Sequence, residues 1–190
     1  LLDSSVWIVP RIGSIYYWSQ ALEQMKLPFA AINTCLLSLT VGVIQVISCT
    51  MIGYGLARFN FRGKNLAFFF VILIMLVPVQ VISIARYLDF NFFNFFGKTI
   101  SLTDTFWPVV ILSSTGLGLK QGLYVYMMRE LFRSLPVSLE EAAYIDGAGP
   151  IQTFTRIMLP NAKTTMATVF LFSFCWQWTD TAYSSLYFNE

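Results

Sequence analysis

The feature that most constrains this chain is the stretch of residues 27–57, which contains no charged side chain. A helix needs about 20 apolar residues to cross the hydrocarbon core of a membrane, so we place a first span at about residues 31–56. A second uncharged run, residues 65–85, predicts a span near 66–86 that is kinked at Pro78. Two such runs indicate a membrane protein that crosses the bilayer more than once.

The composition agrees with this interpretation. Hydrophobic residues make up 56% of the chain and charged residues only 12%, about half of the ~25% that is usual in soluble domains. The net charge of +2 is too small to indicate nucleic-acid binding. The three cysteines lie singly in apolar runs and the chain has no His, so the sequence predicts neither a disulfide framework nor a metal site.

Two further spans are expected, at about residues 107–131 and 165–187. The first of them contains several glycines and Lys120, so we expect an irregular helix there. With four spans, the loops 57–65 and 132–163 lie on the same side of the membrane, and basic residues are densest in the shorter of them. The positive-inside rule therefore puts both loops in the cytoplasm.

These patterns predict an all-α fold, a polytopic bundle of transmembrane helices. Residues 1–30 are expected to form an extracytoplasmic segment that precedes the first span. Residues 31–187 are expected to form the transmembrane domain, with the loop 132–163 as its cytoplasmic part.

The longer loop is the main amphipathic part of the chain, and its residues predict a helical hairpin. Ser138 and Glu141 have the S-x-x-E spacing of a capping box, which predicts a helix over residues 139–146. Gly147 is the residue type that most readily ends such a helix.

A second helix is predicted to follow, with Gly149 before it and Pro150 in its first turn. Its apolar residues recur at helical spacing: Ile151, Phe154, Ile157 and Met158. The residues alone leave two interpretations open, a hairpin that rests on the inner membrane surface and a docking element for a soluble partner. The small residues Ala142 and Ala143 beside Glu141 favour docking, because they let another backbone approach closely.

Residues 141–160, EAAYIDGAGPIQTFTRIMLP, resemble the EAA motif of permeases of ATP-binding-cassette importers. Other segments resemble the carbohydrate-type members of that family: Asn33 and Thr34, YGLARFNFRGK at 54–64, MRELFRSLPVSLEEAA at 128–143 and WQWTD at 176–180. The likeness covers about residues 30–185. It implies a helical permease that crosses the membrane six times, of which the four spans named above are the central ones.

The resemblance implies that the first helix of the hairpin is a coupling helix that docks into a cytoplasmic ATPase subunit. The residues that it assigns to this contact are Glu141, Ala142, Ala143, Asp146, Gly147 and Pro160. The chain has no GxxxxGK[ST] segment, so we expect it to bind no cofactor itself, with ATP and Mg²⁺ on the partner ATPase chains. The other implied partners are a second permease subunit and an extracytoplasmic solute-binding protein.

A candidate solute path is formed by a charged residue inside the third expected span and by polar and aromatic residues of the fourth: Lys120, Trp176, Gln177, Trp178 and Asp180. Aromatic faces beside hydrogen-bonding groups suit sugars. The alternatives are an aromatic belt at the outer interface with Asp180 in water, and a lysine that extends toward the membrane surface. Thr179 stands where the resemblance leads us to expect Asn.

The sequence thus predicts a non-catalytic permease subunit of an ATP-driven importer for a sugar, oligosaccharide or related solute, located in the cell membrane of a prokaryote. The alternative is a membrane scaffold that transports nothing and whose hairpin recruits a soluble protein. A third possibility is a self-sufficient channel or ion-coupled carrier. A carrier of that kind usually has acidic residues inside its spans, and residues 27–85 contain none.

Overall fold

The computed structural model describes residues 26–95 and 98–187, together with Gln20 and Leu22. Most of the expected extracytoplasmic segment, residues 1–30, lies outside the described residues, and residues 27–30 already belong to the first long helix. The chain divides into two compact units, Leu1–Leu36 and Leu37–Glu190, and the second contains the interhelical packing and the candidate site.

The described part of the chain is mainly helical. Its elements, in chain order, are α1 (Leu27–Arg58), α2 (Lys64–Leu76), α3 (Val79–Asn91), β1 (Phe93–Phe95), β2 (Lys98–Ile100), α4 (Trp107–Thr115), α5 (Gln121–Ser134), α6 (Ser138–Ile145), α7 (Pro150–Thr153), a π-helix (Phe154–Met158), α8 (Leu159–Asn161), α9 (Lys163–Trp178) and α10 (Ala182–Tyr187). The all-α prediction missed the short antiparallel pair β1–β2, in which Phe93 pairs with Ile100.

Helix α1 has the properties of a membrane span. Among the described residues it is the single helix that is both long enough and apolar enough to cross a bilayer. Apolar side chains that recur along one of its faces are at least half exposed, although polar residues would be expected at such positions in a soluble helix. These residues are Leu36, Val43, Ile47 and Met51.

The second predicted span is broken, not merely kinked. Helices α2 and α3 are bent by 106° at the break, and they count as a second crossing only if they are taken together. Val77 is extended, with φ −72° and ψ 120°, because the ring of Pro78 disfavours a helical residue before it and the proline has no N–H to donate.

The third and fourth predicted spans are each built from two helices, so the number of membrane crossings stays a prediction. In the third, α4 ends at Gly116, where φ is 90°, and α5 begins after Lys120, where φ is 55°. The Gly118 N–H, freed by this break, donates to Gln121 Oε1 at 2.7 Å. The side chain of Gln121 thereby accepts a hydrogen bond from a backbone N–H group that would be costly to leave unpaired in a membrane interior.

A buried polar network joins the helices around this break. Gln121 Nε2 donates to Ser48 Oγ and to the Ser113 carbonyl, each at 2.7 Å. Ser173 Oγ donates to Gln45 Oε1 at 2.6 Å. These five residues are all buried. Ser113 takes part through its backbone carbonyl and the other four through their side chains, and together they connect α1, α4, α5 and α9. Buried polar groups are retained at low cost only when they are hydrogen-bonded to one another.

Close glycine contacts bring the helices together elsewhere. A Cβ atom built on Gly53 of α1 would lie 2.7 Å from Met128 Cβ of α5. One built on Gly122 of α5 would lie 2.9 Å from the Val71 carbonyl oxygen of α2. Helix α5 therefore packs tightly between α1 and α2, and its far end reaches the loop that contains α6.

Candidate functional site

Helix α6 occupies nearly the range predicted for the first helix of the hairpin, but it does not begin with a capping box. Val137 already has helical angles, φ −64° and ψ −29°, and no side chain caps the helix. The Glu141 N–H donates to the Val137 carbonyl at 3.1 Å. Val137 therefore occupies the N-cap position, and Ser138 is the first residue of the helix, where its hydroxyl does not cap the free N–H groups.

The other end of α6 is formed as predicted. Gly147 has φ 80°, a left-handed conformation that glycine adopts without penalty. Its N–H donates to the Tyr144 carbonyl at 3.1 Å, and the Ala148 N–H donates to the Ala143 carbonyl at 2.9 Å. This pair of bonds is a Schellman motif, and it turns the chain sharply after Asp146.

The second half of the loop begins as predicted, with Gly149 before Pro150, but it widens into a π-helix, Phe154–Met158. Pro160, assigned to the ATPase contact by resemblance, lies in α8 directly after that wide turn and is exposed. Proline has no N–H to continue a regular helix, and Asn161 Nδ2 donates to the Ile157 carbonyl at 2.7 Å.

The residues predicted for the ATPase contact divide between two faces of α6. Glu141, Ala142, Asp146 and Gly147 are exposed, whereas Ala143 is buried. The exposed face is extended by large apolar side chains that also lack cover: Tyr144, Ile145 at 86% exposure, and Ile151 at 79%. An apolar surface of this kind at the tip of a loop is typical of a site that contacts another protein or a membrane surface.

The sequence interpretation missed Glu140, the neighbour of the predicted Glu141. Glu140 is buried, and its Oε1 accepts a hydrogen bond of 3.0 Å from the Tyr54 hydroxyl. Its Oε2 lies 3.4 Å from Arg58 Nε, an ion pair whose two side chains are each 9% exposed. Tyr54 and Arg58 are four residues apart and so share one face of α1, which is the signal in the sequence that could have indicated an anchoring surface.

Aromatic packing surrounds this contact. The Tyr54 ring lies 5.3 Å from the Phe132 ring in an edge-to-face arrangement, and 4.7 Å from the Phe154 ring. Phe59 also meets Tyr54 edge-to-face, with centroids 5.5 Å apart. The hairpin is thus packed against the ends of α1 and α5.

A cavity of about 760 Å³ lies toward the opposite end of these helices. Three of the five residues predicted for a solute path line it: Lys120, Trp176 and Asp180. The other two do not, because Gln177 is buried and Trp178 stacks on Phe174 with centroids 5.8 Å apart.

Charged groups in the cavity wall have specific partners. Lys120 Nζ lies 5.1 Å from the centre of the Trp176 ring, a cation–π contact. Asp180 Oδ2 accepts the Tyr183 N–H at 3.0 Å, which caps α10. Arg86, which the sequence interpretation did not select, also lines the cavity and donates to the Tyr183 hydroxyl.

Comparisons with known proteins agree with these features. Residues 49–190 match the family described as binding-protein-dependent transport system inner membrane component. The trehalose transport system permease protein SugB of Mycobacterium tuberculosis is 35% identical over 80% of this chain and 52% of its own length. The maltodextrin transport system permease protein MdxG of Bacillus subtilis is 30% identical over 75% of this chain and 48% of its own.

The fold also resembles a solved structure. A chain in the crystal structure of a bacterial ABC transporter involved in the import of the acidic polysaccharide alginate matches with a TM-score of 0.63 and 24% identity. The match covers 77% of this chain and 48% of that chain. The sequence spans about half the length of the curated relatives that it matches.

Proposed function

Because the chain belongs to the family of binding-protein-dependent transport system inner membrane components, we propose that it forms part of the permease subunit of an ATP-binding-cassette importer. We place it in the cell membrane of a prokaryote, with four of its spans within residues 31–187. The loop that follows Arg58 is rich in basic residues, and such loops face the cytoplasm. We therefore orient the chain with Arg58 and Glu140 at its cytoplasmic end. The end that carries Asp180 faces outward.

The proposed importer needs several other chains. A second permease subunit completes the path, an extracytoplasmic binding protein delivers the solute, and two cytoplasmic ATPase subunits bind ATP and Mg²⁺. This chain catalyses no reaction itself. Its part is to alternate between states open to either side when the ATPase pair closes and opens.

One observation supports the proposed coupling to an ATPase most directly. One face of α6 is exposed, while the other face is bound to the membrane helices. Glu141 and Ala142 lie on the exposed face, and Ile145 extends it. A helix of two turns with bare apolar residues at its tip suits insertion into a cleft of a soluble partner. A helix that rests on a membrane is expected to show more lysine on its polar face, and α6 contains none.

The solute is proposed to be a sugar, oligosaccharide or related compound that passes along the cavity at the outer end. Trp176 offers an aromatic face for the apolar side of a sugar ring, and Asp180 and Arg86 offer hydrogen-bonding groups. The ammonium of Lys120 covers one face of Trp176 at 5.1 Å. A sugar that stacks on that face therefore has to displace the lysine, which then becomes free to contact hydroxyl groups.

The test is purification of the complete complex in mild detergent from cells that express the full-length chain with its partners. Three forms are compared: wild type, Glu141→Ala and Gly147→Trp. We expect a P-loop ATPase to co-purify with wild type, and to be lost, or present but no longer stimulated by solute and binding protein, in the two variants. Gly149→Ala is the matched control, because Gly149 has φ −75° and open space around it.

The outcomes separate the two interpretations of the hairpin. ATP hydrolysis of each preparation is measured with and without trehalose or maltotriose, the first two solutes tested. Absence of any ATPase from the wild-type preparation, with all variants behaving alike, would contradict the importer assignment and favour a hairpin that rests on the membrane surface.

A further inference from the structure

We propose that Glu140, Arg58 and Tyr54 form a clamp that makes the coupling helix α6 and the membrane helix α1 move as one body. The inference rests on the proposed function, because it gives these residues a positioning role within the coupling movement. None of the three lies on the exposed face of α6 that is proposed to meet the ATPase.

The clamp holds the Glu140 carboxylate from two sides. The Tyr54 hydroxyl donates to Oε1 at 3.0 Å, and Arg58 Nε approaches Oε2 to 3.4 Å. The same guanidinium donates through Nη2 to the Leu135 carbonyl at 2.7 Å. One arginine at the end of α1 therefore joins α6 and the segment that follows α5.

Because this contact is buried, it opposes movement of α6 relative to α1. The Arg58 and Glu140 side chains are each 9% exposed. Moving α6 relative to α1 while the contact stays shielded from water would leave each charge without its partner, which is strongly unfavourable. The contact of Arg133 with Glu130 on α5 is different, because those side chains are 55% and 40% exposed and water can replace the arginine.

Two consecutive glutamates thus have separate roles. Successive residues of a helix point about 100° apart around its axis, so Glu140 faces the membrane helices while Glu141 is exposed. The first holds the helix to its own chain and the second is free for the ATPase. Substitution of Glu141 is expected to weaken ATPase binding, whereas substitution of Glu140 is expected to leave binding intact and to disconnect α1 from the movement.

The hairpin has its own supports, so loss of the clamp does not unfold it. The Schellman bonds at Gly147 and the hydrogen bond from Thr153 Oγ1 to the Gly149 carbonyl do not involve Glu140. The turn of the hairpin thus keeps its own hydrogen bonds when the clamp is removed, and loss of the clamp is measurable as a broader distribution of distances between α6 and α1.

The experiment measures the distance between spin labels on α6 and α1 in the complete complex in lipid nanodiscs. The labels are placed on Ser138→Cys and Leu39→Cys, both at exposed positions, after the three native cysteines are replaced by serine. Leu39 and Tyr54 are 15 residues apart along α1, about 22 Å at 1.5 Å per residue, which suits pulsed electron resonance. Nucleotide-free complex is compared with complex closed by ATP in the presence of EDTA, which prevents hydrolysis.

In the otherwise wild-type complex the distance distribution is expected to be narrow and the same in both states. In Glu140→Gln it is expected to broaden in both states and to shift when ATP closes the ATPase pair. The charge swap Glu140→Arg with Arg58→Glu is expected to restore the narrow distribution only in part, because a glutamate at position 58 cannot donate to the Leu135 carbonyl. Arg133→Gln, which removes only an exposed ion pair, is the control and is expected to behave as wild type.

Either of two results would overturn the clamp: a distribution in Glu140→Gln as narrow and unshifted as in wild type, or a wild-type distance that itself changes with ATP. If the Glu140→Gln complex does not assemble, Tyr54→Phe is measured in its place, since it keeps the ring and removes only the hydroxyl. A partial broadening of the distance distribution is then expected. Failure of the proposed function is recognised separately, since no ATPase then co-purifies with wild type.

Discussion

Substitution of Gly53 by alanine tests the closest helix contact in the structure. The added Cβ would lie 2.7 Å from Met128 Cβ and 2.9 Å from the Arg129 backbone nitrogen. Carbon atoms in contact are normally about 3.5–4.0 Å apart, so α1 and α5 have to separate by about 1 Å. Overpacking of this kind typically costs about 1–3 kcal/mol, and a value near 2 kcal/mol is expected because backbone, not a flexible side-chain tip, blocks the space.

Gly55→Ala is the matched control on the same helix. A Cβ on Gly55 meets nothing within 4 Å, and both substitutions gain the same helix propensity, about 0.8–1 kcal/mol. The difference between the two variants therefore isolates the contact with Met128 and Arg129. We expect Gly55→Ala to be neutral or slightly stabilising, and Gly53→Ala to be less stable than Gly55→Ala by about 2 kcal/mol.

The assay is thermal unfolding of the purified complex in detergent, followed by the loss of its monodisperse peak. A difference of about 2 kcal/mol corresponds to a Tm difference of about 4–8 °C for a domain of ~150–250 residues, so a smaller difference of the same sign is expected for the larger complex. Equal Tm values for the two variants would refute the packing of α1 against α5 described above, and so would a larger loss in Gly55→Ala.

Three further predictions concern the candidate site and its support. Gly147→Val is expected to destabilise the hairpin by at least about 1–2 kcal/mol, since φ is 80° there and the strain is in the backbone alone; protease cleavage within the loop measures it, with Gly149→Ala as the control. Gln121→Leu is expected to cost at least about 2 kcal/mol of stability, because the Gly118 N–H and Ser48 hydroxyl lose a buried partner; a Tm equal to that of wild type would contradict the network. Lys120→Met removes a cation–π contact worth about 0.5–1 kcal/mol, so we expect little change in Tm but an altered solute dependence of ATP hydrolysis in the complex; an unchanged dependence would exclude Lys120 from the solute path.

Much of the fold follows from local sequence signals. The uncharged run predicted α1 because hydrophobicity over that length acts without help from the rest of the chain. Pro78 indicated a disturbance of the next span, but the size of the bend depends on what the two halves pack against. The break before Gln121 is of the same kind: its glycines suggested an irregular helix, while the side chains that stabilise it come from helices distant in the sequence.

The candidate site shows the same division between local and distant signals. Gly147 and Pro150 set their own backbone angles, and both were placed correctly. The S-x-x-E spacing at Ser138 and Glu141 is also a local signal, but it gave a capping box that the structure does not have. Which of two adjacent glutamates faces inward depends on Tyr54, which is 86 residues away from Glu140, and no local pattern carries that information.

The central claim is that the exposed face of α6 meets an ATPase, and photo-crosslinking tests it most directly. A benzophenone amino acid is placed at Ile145, which is 86% exposed at the tip of α6, and in a second preparation at Leu36, 58% exposed on the apolar face of α1. Irradiation of membranes is expected to join position 145 to a P-loop ATPase subunit, identified by mass spectrometry, and to join position 36 to no ATPase. Adducts of position 145 with lipid alone would contradict the account and place the hairpin on the membrane surface.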